Sequence, residues 1–131
     1  MYEALAAIGS VMLDPYLLML IFVTTIGGIV IGVLPGLGAT TGAALLLPFT
    51  LTMSPVHAIA VLATLYVSAT FAGSITAILI NTPGTSAAAA TTFDGFPLAQ
   101  RGEAGRALGI AVVASTIGGI FSIIVLCFAA P

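Results

Sequence analysis

Long apolar runs alternate along this chain with short segments rich in proline, glycine and hydroxyl side chains. Four such runs predict helices, at Tyr16 to Leu34, Ala39 to Met53, Val56 to Ile80 and about Glu103 to Ala130. A helix that spans a bilayer needs about 20 apolar residues. The pattern therefore predicts an all-α integral membrane protein with about four hydrophobic helical segments.

Two proline–glycine breaks interrupt the apolar pattern, at Pro35–Gly38 and at Asn81–Gly84. An unbroken helix from Tyr16 to Met53 would be about 57 Å long, nearly twice the ~30 Å hydrocarbon core of a bilayer. We therefore expect residues 16–53 to form a broken hairpin, either as a re-entrant segment or as two antiparallel helices. Non-helical backbone at membrane depth is tolerated only where protein buries it or where it lines a water-filled cavity.

The remaining segments are shorter or more polar. Residues 1–14 predict an interfacial helix from Tyr2 to Leu13, with Leu5, Ile8 and Met12 on one face, that ends at Asp14 before Pro15. This start has no positively charged region and does not resemble a signal peptide. Ser54 and Pro55 are expected to open the third apolar run, and residues 81–102 are expected to form a polar loop.

The low fraction of charged residues supports the prediction of a membrane protein. The 131 residues are 60% hydrophobic and 5% charged, whereas a soluble domain has roughly 25% charged residues. No formally charged side chain occurs between Asp14 and Asp94. The weakly acidic balance does not suit nucleic-acid binding, which requires a basic surface. Cys127 is the single cysteine, so it forms no intramolecular disulfide.

Membrane orientation can be inferred from the two arginines. Arg101 and Arg106 flank the start of the last apolar run, and the positive-inside rule places that region in the cytoplasm. The run from Val56 to Ile80 then crosses from outside to inside, and the hairpin leaves the N-terminus outside. In the alternative, Asn81–Gly84 is itself a re-entrant tip, which changes the number of membrane crossings and reverses the predicted orientation.

Small residues four apart indicate close helix packing at Gly28 and Gly32, Ala69 and Gly73, and Ser115 and Gly119. We interpret these pairs as faces through which helices pack. The alternative is that they form a surface along which helices slide in a moving transporter. His57 is interpreted as an interfacial or packing histidine in preference to a proton relay. No metal-spaced cluster, phosphate loop or activated nucleophile is present in the sequence, so no enzyme activity and no cofactor are predicted.

Both breaks are candidate anion sites. Free N–H groups and the positive dipole end at a helix start attract anions, and Thr40 and Thr41 are expected to cap the helix after the first break. With no arginine beside either break, an anion would rest on backbone amides, hydroxyls, the Asn81 amide or a co-bound cation. The alternative is that both breaks are structural kinks. The candidate binding residues are Pro35, Gly36, Gly38, Ala39, Thr40, Thr41, Asn81, Thr82, Pro83, Gly84, Thr85 and Ser86.

Four sequence elements in series resemble the large membrane subunit of the tripartite tricarboxylate transporters. The first is the Gly-x-x-Pro-Gly-x-Gly element at residues 32–38, followed by Ala39 and Thr40. The second is residues 80–84 followed by alanines 87–90. The others are the Asp-Gly-Phe-Pro-Leu-Ala segment at 94–99 and the Gly-Arg-Ala-Leu-Gly segment at 105–109.

The resemblance implies a secondary carboxylate importer of the bacterial inner membrane. It implies as partners a periplasmic solute-binding protein and a small membrane subunit, with a Na⁺ or H⁺ gradient as the driving force. The family's large subunit is much longer and has two related halves, so this chain is expected to be part of the first half of an inverted-repeat transporter. Asp94, Gly95, Arg101 and Arg106 are expected to form a structural loop, in which Asp94 accepts N–H bonds or pairs with an arginine, or is simply solvated. A non-transporting membrane scaffold that packs through small-residue faces is the alternative function.

Overall fold

The structure, a computed structural model, describes residues 13–129. Its helices are α1 (Pro15–Val33), α2 (Gly38–Thr50), α3 (Pro55–Ile80), α4 (Ala89–Gln100) and α5 (Ala104–Ala129), with a 3₁₀ helix at Ser86–Ala88. The all-α prediction is confirmed, and α1, α3 and α5 are long and apolar enough to span a membrane. A fourth span is not confirmed, because α2 has 13 residues and is only about 20 Å long. The predicted interfacial helix lies almost entirely in residues 1–12, outside the described residues.

Helices α1 and α3 both begin with a side-chain cap followed by a proline. Asp14 caps α1, where its Oδ1 accepts a hydrogen bond from the N–H of Tyr16 at 2.9 Å, and Pro15 occupies the first turn. Ser54 caps α3, where its Oγ accepts from the N–H of His57 at 3.5 Å, and Pro55 follows. The predicted opening of the third run at Ser54 and Pro55 is therefore confirmed.

His57 joins these two helix starts. Its Nε2 lies 3.3 Å from Asp14 Oδ2, its Nδ1 lies 2.5 Å from Ser54 Oγ, and its ring centroid is 5.5 Å from that of Tyr16. These contacts agree with the interpretation of His57 as a packing histidine at the end of the bundle.

Helices α1 and α3 run parallel, and α2 returns between their ends. Asp14 meets His57 near the start of both helices, and Gly32 meets Ala69 further along. A Cβ atom on Gly32 would lie 2.7 Å from the Cα of Ala69, so only glycine permits this approach. Gly42 of α2 faces both α1 and α3, and α2 leads directly to the start of α3. The predicted turn after α1 is present, and the packing interpretation holds for Gly28 and Gly32.

After α3 the chain folds back along that helix. The N–H of Gly84 donates to the carbonyl of Gly73 at 3.3 Å, and Gly73 lies seven residues, or about 10 Å, before the end of α3. Helix α4 then returns toward the end of α3, since Gly95 packs against Ile78. This geometry agrees with the alternative in which Asn81–Gly84 forms a re-entrant tip. The membrane side that each end faces stays a prediction.

The predicted loop at residues 81–102 is wrong over most of its length, because Ala89–Gln100 forms α4. The alanine run at residues 87–90 favours a helix, and Gly95 allows the helix to pack on Ile78 despite Pro97. Asp94 and Gly95 are therefore helical residues, and Arg106 lies in α5. Of the four expected loop residues, only Arg101 remains between helices.

The described core is small and built around α3. Ala69, Ala72 and Ala77 are fully buried, with Leu65 and Ile78 as the largest fully buried side chains. Helix α5 packs on α4 and on the second half of α3, but every residue from Val112 to Ala129 is exposed. A Cβ atom on Gly119 would meet no other atom within 4 Å, so Ser115 and Gly119 form no packing face within residues 13–129.

Candidate functional site

The two proline–glycine breaks meet at one cavity of about 280 Å³. A Cβ atom on Gly38 would lie 3.7 Å from the carbonyl oxygen of Gly84, which places one break directly against the other. The cavity is lined by Gly36, Gly38, Ala39, Thr40, Thr41, Tyr66, Thr70, Gly84, Thr85, Ser86 and Ala87. Two segments far apart in sequence therefore form a single concave site beside α3.

The first break depends on glycine backbone conformations. Gly36 has φ +89° and Gly38 has φ +38°, a region in which a Cβ atom is disfavoured by its contact with the following carbonyl oxygen. Pro35 precedes them and cannot donate a backbone hydrogen bond. Together they end α1 and restart the chain as α2 within a few residues, with the first turn of α2 at the cavity.

The second break is held by a left-handed asparagine and a tightly packed glycine. Asn81 ends α3 with φ 55° and ψ 26°, and its N–H bonds to the carbonyl of Thr76. A Cβ atom on Gly84 would collide with the Gly32 carbonyl oxygen and lie 2.8 Å from the Cα of Gly73. Gly84 therefore fits only because α1, α3 and the tip all present glycine at this point.

The polar groups that line the cavity are uncharged. Hydroxyl residues supply them, namely Thr40, Thr41, Tyr66, Thr70, Thr85 and Ser86, and none of the lining residues carries a charge. The Oγ1 of Thr85 is buried and has no hydrogen-bond partner within residues 13–129. A buried hydroxyl in that state costs about 1–3 kcal/mol, and the Thr85 side chain packs against Gly73 of α3.

The structure brings together eight of the twelve sequence candidates and separates four. Pro35, Asn81, Thr82 and Pro83 shape the breaks but do not line the cavity. Tyr66, Thr70 and Ala87 line it and were missed by the sequence analysis. Tyr66 and Thr70 lie four residues apart on one face of an apolar helix, and that spacing of polar groups was the available signal.

The expected capping by Thr40 and Thr41 is wrong. Helix α2 begins at Gly38 after Leu37, without a side-chain cap, so both threonines lie in its first turn. Their hydroxyls are consequently not used to close the helix start. The N–H groups of that turn have no side-chain cap, and the turn lines the cavity. An anion could therefore accept hydrogen bonds from them without competing with a threonine hydroxyl.

The expected pairing of Asp94 with an arginine is also wrong in the described structure. Arg106 Nη1 instead bonds to Glu103 Oε2 at 2.9 Å. Within residues 13–129 the ion pairs are that one and His57 with Asp14, and no group of three or more potential metal ligands occurs there.

Comparison with known proteins extends these observations over most of the chain. The family model described as the tripartite tricarboxylate transporter TctA family matches residues 18–131. An uncharacterized 52.8 kDa protein of the TAR-I ttuC' 3' region of Agrobacterium vitis is 44% identical over 119 residues. That match covers 91% of this chain and 24% of the relative, so the chain spans about a quarter of the relative's length. No solved structure matches the chain.

The matched region includes both breaks, the cavity between them and the helices that surround it. The chain is a multi-pass helical membrane segment, and it belongs to the TctA family of tripartite tricarboxylate transporters.

Proposed function

We propose that this chain is part of a membrane permease that imports tricarboxylates or related carboxylates, and that the cavity between the breaks holds the substrate. The proposal includes a periplasmic solute-binding protein and a small membrane subunit as partners. It also includes a Na⁺ or H⁺ gradient as the driving force and the bacterial inner membrane as the location. Family membership supports this transport role, and no catalytic residue is assigned.

One observation carries the proposal, namely that both breaks contribute to a single cavity. A kink that served only to bend a helix would have no reason to meet a second kink from another part of the chain. Irregular backbone inside a membrane protein is stable where it lines a cavity, and discontinuous helices form the binding sites of many transporters.

The lining can hold a carboxylate without a positively charged side chain. The first turn of α2 lines the cavity, has no side-chain cap and carries the positive end of the helix dipole, which attracts an anion. The hydroxyl groups of Thr40, Thr41, Ser86 and Tyr66 can donate further hydrogen bonds. The volume of about 280 Å³ is near the lower end of the roughly 300–1,000 Å³ typical of small-molecule sites, which suits a small ligand.

Removal of hydroxyl groups tests this site without disturbing the strained glycines. The full-length protein is expressed with its binding protein and small subunit, and uptake of radiolabelled tricarboxylates is measured. We expect Thr40→Val and Thr41→Val to raise the substrate concentration for half-maximal uptake about tenfold each, because a hydrogen bond to a charged group contributes about 1.5–3 kcal/mol. Thr52→Val is the matched control, since Thr52 is exposed at the far end of α2 and bonds the Phe49 carbonyl.

Uptake by Thr40→Val and Thr41→Val at the level of Thr52→Val, with equal amounts in the membrane, would show that the cavity does not bind substrate. The same result with Gly36→Ala and Gly38→Ala would also exclude a role for the break itself.

A further inference from the structure

A second cavity, of about 380 Å³, lies between α3, α4 and α5 and takes no part in the site described above. Its polar lining consists of Asp94 and three hydroxyl residues, one from each of the three helices, Ser74, Thr91 and Ser115. Its other walls are apolar and include Ile78, Leu98 and Ile110. One carboxylate in a mainly apolar cavity of this size is typical of a site for an amphipathic ligand.

Asp94 is available to such a ligand. The Asp94 carboxylate makes no ion pair within residues 13–129, where Arg106 is paired with Glu103 instead. Thr91 precedes Asp94 by three residues on α4, so both side chains lie on the same face of the helix. A carboxylate with hydroxyl oxygens around it accepts hydrogen bonds, and the complementary partner is a primary ammonium group with three N–H donors.

An apolar groove continues from this cavity along α3 and α5. The groove has a volume of about 570 Å³ and shares Ser74 and Ser115 with the cavity. It extends along α3 to Tyr66, eight residues or about 12 Å from Ser74. Val67, Phe71 and Val112 form most of its apolar surface.

The positions of the cavity and the groove suit a lipid, whose headgroup lies at the membrane surface and whose acyl chains lie in the membrane interior. The cavity lies at the charged end of the bundle, where α3 ends and Arg101, Glu103 and Arg106 occur, whereas the groove leads toward the middle of α3 and α5. A lipid headgroup at this end therefore finds a carboxylate for its ammonium group.

We propose that this cavity and groove bind a phospholipid with a primary ammonium headgroup. The ammonium donates hydrogen bonds to Asp94 and the neighbouring hydroxyls, and one acyl chain occupies the groove between α3 and α5. A quaternary ammonium headgroup cannot donate hydrogen bonds, so the site distinguishes phosphatidylethanolamine from phosphatidylcholine. Retention of lipid is measured separately from uptake, so this inference and the proposed transport function can fail independently.

The test is competitive lipid retention by the full-length protein in detergent. Equal amounts of phosphatidylethanolamine, phosphatidylcholine and phosphatidylglycerol with identical acyl chains are added, and bound lipid is counted by native mass spectrometry. We expect about tenfold more phosphatidylethanolamine than phosphatidylcholine on the unmodified protein, as hydrogen bonds to a charged group predict. Asp94→Asn should bring the ratio close to one, whereas Glu103→Gln, a carboxylate change at the same end but outside the cavity, should leave it unchanged.

Ser74→Ala and Ser115→Ala provide an uncharged second test if Asp94→Asn does not fold, and each should lower the ratio. Equal retention of both lipids by the unmodified protein would overturn the proposal, as would an unchanged ratio in all three cavity variants. An equal effect of Glu103→Gln would assign the preference to surface charge and also overturn it. Displacement of the lipid by free ethanolamine at the same concentration would show that the acyl chain adds no affinity in the groove, and would also overturn the proposal.

Discussion

The contact between α1 and α3 at Gly32 offers a sharp test of how this fold is held together. A Cβ atom at position 32 would lie 2.7 Å from the Cα and 2.8 Å from the carbonyl carbon of Ala69, and closer still to its carbonyl oxygen. Backbone atoms of a helix cannot turn away as a side chain can. Ordinary van der Waals contact begins near 3.4 Å, so Gly32→Ala requires the two helices to part by at least about 0.7 Å.

A separation of that size weakens every contact along the helix pair. A gap of about 0.5–1 Å removes a quarter to a half of the attraction between facing atoms, and overpacked sites typically lose about 1–3 kcal/mol. We therefore expect Gly32→Ala to lower the free energy of unfolding by about 1–3 kcal/mol. Because the Gly32 carbonyl oxygen also contacts Gly84, the same change displaces the second break, and uptake should fall.

Gly27→Ala is the matched control, since a Cβ atom at position 27 of the same helix meets no other atom within 4 Å. That variant should be neutral or up to about 1 kcal/mol more stable, because alanine favours the helix. The measurement is equilibrium unfolding of the full-length protein in mixed micelles, followed by circular dichroism. Equal stabilities for the two variants would refute the reasoning that glycine at position 32 sets the distance between α1 and α3.

Three further predictions concern single side chains. Thr85→Val should raise the free energy of unfolding by up to about 1 kcal/mol in the same unfolding assay, because it removes a buried hydroxyl without a partner in the described residues, and a loss of stability would contradict that account. Asp14→Ala should lower the free energy of unfolding by about 0.5–2 kcal/mol through loss of the α1 cap, whereas Asp14→Asn, which retains a capping oxygen, should cost much less in the same unfolding assay. Asn81→Ala should destabilise by about 1–2 kcal/mol because its φ is 55°, while Asn81→Gly should be nearly neutral; similar melting temperatures for both would contradict that account.

Local features of the chain were predictable because their causes are local. The helix bounds agree with the apolar runs to within a few residues, since proline and capping side chains act on their own neighbours. Pro35–Gly38 and Asn81–Gly84 are breaks for the same reason. The predicted pairs of small residues at Gly28 and Gly32 also pack as expected, since only such residues allow helix backbones to approach closely.

The errors arose where a distant contact outweighed a local preference. Residues 89–100 contain glycine, proline and polar side chains and predict a loop, yet α4 forms because Gly95 packs against Ile78 on α3. Asp94 consequently projects from a helix that borders a cavity, and does not hold a loop. Tyr66 and Thr70 were missed because an apolar helix does not reveal which of its faces will meet a break.

Membrane location, the ends of α1, α2, α3 and α5 to within a few residues, and the two breaks could all be predicted from the sequence alone. Those properties follow from the transfer of apolar side chains out of water and from the backbone limits of proline and glycine, which act within a few residues. The meeting of the two breaks and the hydroxyls around them became visible only in the folded chain. That outcome depends on Gly32, Gly73 and Gly84, which are distant in sequence and whose missing side chains allow three backbones to converge.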